Sequence, residues 1–439
     1  MVIKLILTRD SQTMAPMRRF LQDIPLPENL EALYDKLFDR HTSGDDENKE
    51  SLEMALKLLA AARRPLSILE ISWAVALATQ HDEAISNVAS LEALAEPKRV
   101  LGFLQPFISH VDHDDEKTRQ VKLAHLSVKD YVCSRYTRSS DGVRARSIES
   151  RKDETLAAQH FEATMLDVCI RYLLLDEIDK TYIFTDDLLA PDVLRIDPSL
   201  FADAEGGAMP LEPWEGYLVD FDPAAHELGE FFVYASSYWL DHLGASDGEA
   251  LPDVSAIETL CRKGSTRFSN WTALSRCQPD SILAPPGFGT QFGLHDPLSI
   301  TSLYGTDAML RRLVERIDFV NGGYMPFSAL YAAELVVLES CGLEKLRILL
   351  LEGKTRQQLQ SVQWLQFIIE QWDILNERYS DWGPALDLVR YLFDQMTEEA
   401  WAVELSELAA RIGCAPVLRH FRDHQYGLEQ QRAGALENE

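Results

Sequence analysis

The residues best suited to chemistry in this 439-residue chain are few and far apart. Gly353-Lys354-Thr355 has the form of the end of a phosphate-binding loop. Such a loop needs a glycine five positions earlier, so that its backbone N–H groups can wrap a phosphate, and Ile348 stands there instead. Leu349-Leu350-Leu351-Glu352 continues a helix whose glutamate repels an anion, so the segment reads as a helix ending at Gly353. The glycines at 287, 289 and 293 miss the G-x-G-x-x-G spacing and follow Pro285-Pro286 rather than a strand, which makes that stretch a turn. His242, close to Trp239 and Asp241 near the end of an aromatic helix, reads as a packed or capping residue rather than a base. His110 and His113, beside acidic residues in a turn, read as solvated rather than metal-binding.

The remaining polar chemistry points the same way. Residues 176–225 are rich in carboxylates but lack the D-x-D-x-D-G spacing of a calcium loop, so they read as an acidic, solvated insertion. The six cysteines (Cys133, Cys169, Cys261, Cys277, Cys341, Cys414) stand singly, without a C-x-x-C pair, and are expected as reduced, mostly buried thiols. No catalytic residue, cofactor or metal site is expected, and the chain reads as non-enzymatic.

Among the elements that would position any site, Val121 to Tyr136 is the most informative stretch. Val121 and Leu123 alternate with Lys122 and Ala124 as in a half-buried strand, whereas Val128, Tyr131 and Val132 share one helix face. Ser127 followed by Asp130 has the form of a capping box at the start of that helix. A second strand is expected at Phe107 to Val111, with the charged residues 112–117 as the hairpin turn. Helical periodicity at Asn29 to Arg40, Glu50 to Ala62 and Ser67 to Thr79 completes a winged-helix-like layout: three helices, a small β-hairpin and a closing helix.

Four phrases in this region carry a family resemblance: Ile24 to Leu30 (IPLPENL), Leu33-Tyr34, Ala62 to Ser67 (ARRPLS) and Leu123 to Tyr131 (LAHLSVKDY). In order and approximate spacing they resemble the region that follows the nucleotide-binding domain of fungal NACHT proteins. Those are STAND-type signal-transducing NTPases, often with C-terminal ankyrin repeats. The resemblance covers about residues 17–137. It implies structural roles for His125, Ser127, Asp130 and Tyr131. It also implies that the nucleotide-binding domain is missing, because only 23 residues precede Ile24. Met14 to Gln22 would be the tail of the lid that precedes the winged helix.

Downstream, residues 138–152 read as an exposed linker and Glu154 to Leu175 as a long amphipathic helix with Phe161, Met165, Val168, Cys169, Tyr172 and Leu173 on one stripe. Leu228 to Leu243 forms a dense aromatic helix face, similar to the helix that joins winged helix to repeats in NACHT–ankyrin proteins. From Asp296 to Asn321 the pattern resembles an ankyrin repeat, with Ser299 where that family favours histidine. A looser copy has Pro326, Leu330, Ala332, Ala333, Gly342, Leu346, Leu349 and Leu350, and a third has Gly383, Leu386, Val389, Leu392 and Phe393. The glycine spacings, 342 − 305 = 37 and 383 − 342 = 41, exceed the ankyrin period of about 33, so the copies are degenerate helix pairs. Glu398 to Ile412 closes the solenoid, with a last short helix at 415–421.

The expected fold is therefore mainly α: an N-terminal remnant (1–23), a winged-helix-like domain (24–137), a helical linker region (138–290), ankyrin-like helical repeats (291–426) and a tail (427–439). A net charge of −28 disfavours phosphate neutralisation, and the helix expected to enter a DNA groove, Ile68 to Thr79, carries no basic residue. No apolar run approaches a membrane span. These features lead to a cytoplasmic setting, with the nucleus left open, and to no nucleic-acid or membrane partner. The expected function is a protein-protein interaction or scaffold module, with Trp364, Trp372, Tyr379 and Trp382 as candidate partner anchors. The alternative is the regulatory, sensing half of a signal-transducing NTPase whose P-loop domain is encoded upstream.

Overall fold

The computed structural model describes residues 30–42, 45–80, 85–110, 120–140, 150–183, 223–246, 251–277, 282, 296–320, 323–339, 342–351, 353–372, 400–415, 417–419 and 422. They are mainly helical. The chain divides into two units, Met1–Leu260 with Gly264–Gly289, and Cys261–Lys263 with Thr290–Glu439. The stretches 24–137 and 138–289 thus belong to one unit, apart from 261–263.

The first unit opens with α1 (Leu30–Thr42), whose Leu33, Tyr34, Leu37 and Phe38 fall on one buried face. In α2 (Asp46–Ala61) the Asp45 side chain caps the N-terminus by accepting the N–H groups of Glu47 and Asn48. After β1 (Leu66–Ser67) comes α3 (Ile68–Thr79), apolar on all sides and accordingly buried on nearly all of them. Two short helices that periodicity did not indicate follow, α4 (Val88–Leu94) and α5 (Pro97–Leu104). They begin at an Asn87 cap and at a proline in the first turn.

Strands β2 (Ile108–His110) and β3 (Gln120–Leu123) pair antiparallel, Ile108 opposite Leu123 and His110 opposite Val121. Leu66 of β1 pairs with Val121, giving a three-stranded sheet in the order β1-β3-β2. The residues of the hairpin turn, His113 included, lie outside the described set, as does the side chain of His110. Helix α6 (Leu126–Ser140) follows, then α7 (Ser150–Leu173) and α8 (Asp176–Lys180). The stripe expected on α7 from Phe161 to Leu173 is buried throughout. A 3-10 turn at Pro223–His226 leads into α9 (Phe232–Ala245), and α10 (Val254–Leu260) and α11 (Thr266–Cys277) close the unit. α7 is the spine: it packs on α9, α2, α6 and α3, while α9 also packs on α11.

The start of α6 corrects the expected capping box. The Ser127 N–H donates to His125 Nδ1 at 3.1 Å, so the cap is the imidazole, two residues earlier. The Ser127 hydroxyl bridges His125 Nδ1 at 2.9 Å and Tyr34 Oη at 2.7 Å. With Nδ1 serving as acceptor, the hydroxyl donates to it and accepts from the tyrosine. Tyr131 Oη donates to Asp35 at 2.8 Å, its ring lies 5.0 Å from that of Tyr34, and Arg135 also binds Asp35 at 3.1 Å. His125, Ser127 and Tyr131 therefore fasten α6 to α1. Asp130 is exposed.

The second unit contains α12 (Pro297–Tyr304), α13 (Asp307–Arg316), α14 (Ser328–Leu338), α15 (Leu343–Leu351), α16 (Gly353–Leu359), α17 (Val362–Glu370) and α18 (Ala400–Ile412). α12 packs on α14, and α13 packs on α15, so the first pair of helices is stacked on the second. Asp296 joins them. One carboxylate oxygen caps α12 by accepting the Ser299 N–H at 2.9 Å; the other accepts the Met325 N–H at 3.1 Å and the Ser328 hydroxyl. Two lysines of the second half complete the ends of the first pair. Lys345 donates to the carbonyls of Ser302 and Leu303 at the end of α12, and Lys354 donates to that of Ile317 at the end of α13. Cations at helix C-termini satisfy orphan carbonyls and oppose the helix dipole. The expected third copy, from Gly383 to Phe393, falls outside the described residues.

Candidate functional site

The densest polar chemistry of the described residues grows from the Ala62 to Ser67 turn between α2 and β1. Arg64 reaches Glu70 with both terminal nitrogens, at 2.8 and 2.6 Å, and its guanidinium lies 5.2 Å from the ring centroid of Tyr234 and 5.9 Å from that of Tyr238. Burial works against the guanidinium's charge, and Glu70 overrides it, holding Arg64 above its ordinary range. Glu70 also accepts the Ser67 N–H at 2.7 Å while Ser67 Oγ accepts the Glu70 N–H at 3.0 Å, a complete capping box on α3.

Arg63 closes a second circuit. Its backbone N–H donates to Tyr234 Oη at 3.1 Å, Tyr234 Oη meets His242 Nε2 at 3.0 Å, His242 Nδ1 meets Glu162 at 2.6 Å, and the Arg63 guanidinium returns to Glu162 at 2.9 Å. An ionised Glu162 only accepts, so Nδ1 carries the proton and Nε2 accepts from the tyrosine. A Tyr–His–Glu chain has the connectivity of a general-base relay. Here His242 is 0% exposed and both ring nitrogens are committed, so the relay ends inside the protein. Its chemical capacity is to lock α7, α9 and the Ala62–Ser67 turn together.

Burial pushes the His242 imidazole below its ordinary 6.5, prevailing over Glu162; burial lowers His41 and His160 as well. All three are therefore held neutral by folding. The unfolded chain takes up protons first as the pH drops through 6.5, so the stability these groups contribute is present above that value and is lost below it. We expect the unfolding free energy from denaturant titrations to fall between pH 7.5 and pH 6, by up to about 1.4 kcal/mol per pH unit for His242 and by less for the partly solvated His41 and His160. His242→Gln should be less stable at pH 7.5 and should show a flatter dependence. An unchanged slope in that variant would remove His242 from the effect.

The other sequence-level candidates resolve into packing. Gly353 adopts a φ of +42° and opens α16, Lys354 is spent on Ile317, and the buried Thr355 hydroxyl donates to the Leu349 carbonyl at 2.7 Å. No side chain of that phosphate-loop look-alike is left for a phosphate. Trp364 is 1% exposed and stacks on Phe367 with ring centroids 5.7 Å apart, and Trp372 is 9% exposed. Both sit within the packing of the second unit; Tyr379 and Trp382 lie outside the described residues. Cys133, Cys169, Cys261 and Cys414 are buried thiols outside any disulfide, and burial raises the Cys169 and Cys261 thiols. Among the described residues no cluster of three or more His, Cys, Asp or Glu side chains is placed to hold a metal ion, and no helix is long and apolar enough to cross a membrane.

Helix α5 lies directly before the hairpin in the chain. It carries Lys98 and Arg99, but Arg99 is held by Glu96 at 2.6 Å, Glu47 at 2.9 Å and Asn48 at 2.7 Å.

Three exposed large apolar side chains fall between the end of α13 and the first turns of α14. Val320 is 89% exposed, Phe327 63% and Tyr331 38%. Phe327 has φ +62° and ψ +28°, a left-handed conformation that a bulky residue adopts at a cost of about 1–2 kcal/mol. Sequence reasoning passed over these residues in favour of tryptophans, although the signal was present: Phe327 and Tyr331 are four apart at the start of a helix whose opposite face carries Ala329, Ala332 and Ala333. No known protein family, no curated protein and no solved structure matches the chain.

Proposed function

We propose that the chain is a non-enzymatic protein-interaction module, a winged-helix-like unit followed by an ankyrin-like helical solenoid, akin to the C-terminal regions of NACHT-type signalling proteins. Two features support the architecture. A helix precedes β1, further helices precede the hairpin and the sheet runs β1-β3-β2, the arrangement of a helix-turn-helix unit with a wing. In the second unit, helix pairs bury their apolar faces on one another and share side-chain caps, as solenoid repeats do. The partner is a protein rather than a nucleic acid, because the chain carries −28 and Arg99 is neutralised by glutamates. Buried thiols outside disulfides fit a reducing compartment such as the cytoplasm.

The observation that carries the interaction reading is Phe327, a large aromatic held in the left-handed region yet presented to water. Strain without burial gains nothing for the fold, and such positions cluster where a surface is shaped for a partner. Asparagine tolerates this backbone, so Phe327→Asn should leave stability unchanged or raise it by about 0.5–1 kcal/mol. The same change should abolish binding of a partner defined by photocrosslinking at position 331. Retained crosslinking would overturn the assignment of this surface, and stoichiometric ATP binding by the purified chain would overturn the non-enzymatic reading.

A further inference from the structure

Within the first unit, α3, α4, the start of α5 and the turn before α9 enclose a cleft of about 730 Å3, within the range that holds drug-sized or short peptide ligands. Its floor is apolar, with Leu69 and Trp73 from α3 and Val88 from α4. Its walls bring together Glu92, Glu177, Glu227 and Glu230, from three separate segments, and none of the described residues lining it carries a positive charge. Glu177 accepts the Val88 N–H at 2.8 Å and pairs with Lys180 at 2.9 Å, so it is fixed in place. Although burial opposes its charge, those two donors pull its carboxyl below the usual range, and it is ionised at neutral pH. Lys180 lies outside the cleft and already answers to Glu177, Asp176 and Glu227. Glu227 is exposed and is held at φ +58°, one turn from Gly229 at +75°. The fold thus spends left-handed backbone on a segment that adds carboxylates to walls already negative. Even with Lys180 beside Glu177, four glutamates line one apolar floor, and a cationic partner with apolar bulk complements both features.

We infer that this cleft docks a short basic peptide segment, one large apolar side chain on the Leu69–Trp73–Val88 floor and lysine or arginine on the glutamate walls. It is a surface separate from the Phe327 connection, and its test does not depend on that reading. The probe is a fluorescein-labelled hexapeptide of two leucines flanked on each side by two lysines, titrated with the full chain at low salt and followed by anisotropy. Glu92→Gln with Glu227→Gln should weaken binding about tenfold. Glu404→Gln with Glu407→Gln, which removes the same charge from exposed positions on α18, should leave it unchanged. An all-lysine hexapeptide should bind at least about tenfold more weakly than the leucine-containing one, because it leaves the floor unfilled. Equal loss in the two charge variants would reduce the effect to the protein's net charge and overturn the proposal. So would equal affinity for the two peptides, or no binding of either. The exposed substitutions are not expected to alter the thermal midpoint, which is measured alongside.

Discussion

Replacing Glu70 by alanine is expected to destabilise the first unit by about 3 kcal/mol, the low end of the cost of breaking a buried ion pair. The low end applies because the Arg64 side chain retains 26% exposure, whereas that of Glu70 has 9%. Arg64 loses both carboxylate contacts and keeps only the Pro65 carbonyl as an acceptor, and the Ser67 N–H at the start of α3 loses its acceptor too. The guanidinium is left between the rings of Tyr234 and Tyr238 without a counter-charge. Cation–π attraction of about 1 kcal/mol does not replace a bidentate carboxylate. Ser67→Ala, which removes only the reciprocal half of the cap, should cost about 1 kcal/mol. Arg64→Met combined with Glu70→Leu should recover most of the loss, since apolar replacement of both partners leaves no orphan charge. Urea titrations of these variants decide the matter: if Glu70→Ala costs no more than Ser67→Ala, the pair contributes only a helix cap.

The legible and illegible parts of this chain divide along sequence distance. Periodicity of 3.6 revealed α1, α3, α7 and α9 to within a few residues, because a helix buries a stripe that recurs every turn. The hairpin was legible from its alternation and charged turn, whereas β1, two residues long, has no period to read. α4 and α5 are too short for a periodic signal, although Asn87 and Pro97 marked their starts. The capping box was sought at Ser127 and Asp130 and formed instead at Ser67 and Glu70, a better match to the motif because glutamate, not aspartate, reaches back to the cap. The Arg63–Tyr234–His242–Glu162 circuit could not be read at all. Its members lie up to 179 residues apart (242 − 63) and meet only once α7, α9 and the Ala62–Ser67 turn have packed. The acidic cleft is assembled the same way, from α4, α8 and the turn before α9.

Gly229→Ala is expected to cost about 2–5 kcal/mol, the sum of a left-handed backbone penalty and the overpacking of a closed site. The glycine has φ +75°, and a Cβ placed there would lie 2.4 Å from Trp73 Cζ3 and 2.6 Å from Tyr172 Oη. Tyr172 is held in place, and Trp73 can give way only into the cleft it lines. Trp73 is 5% exposed and packs on Tyr172 with ring centroids 6.2 Å apart, and the fully buried Tyr172 donates its hydroxyl to the Leu228 carbonyl. Gly264 separates the two costs, because it has nearly the same backbone, φ +77°, with nothing within 4 Å of its missing Cβ. Gly264→Ala should therefore show the backbone penalty alone, about 1–2 kcal/mol. The excess at Gly229 measures the clash, and a Trp73→Leu background should reduce it, because the ring atoms are gone while the Tyr172 hydroxyl remains. Equal losses at the two glycines would mean that the turn shifts freely away from α3. The same turn carries Glu227 and Glu230, so an excess at Gly229 also measures how rigidly the fold holds one wall of the acidic cleft against its tryptophan floor.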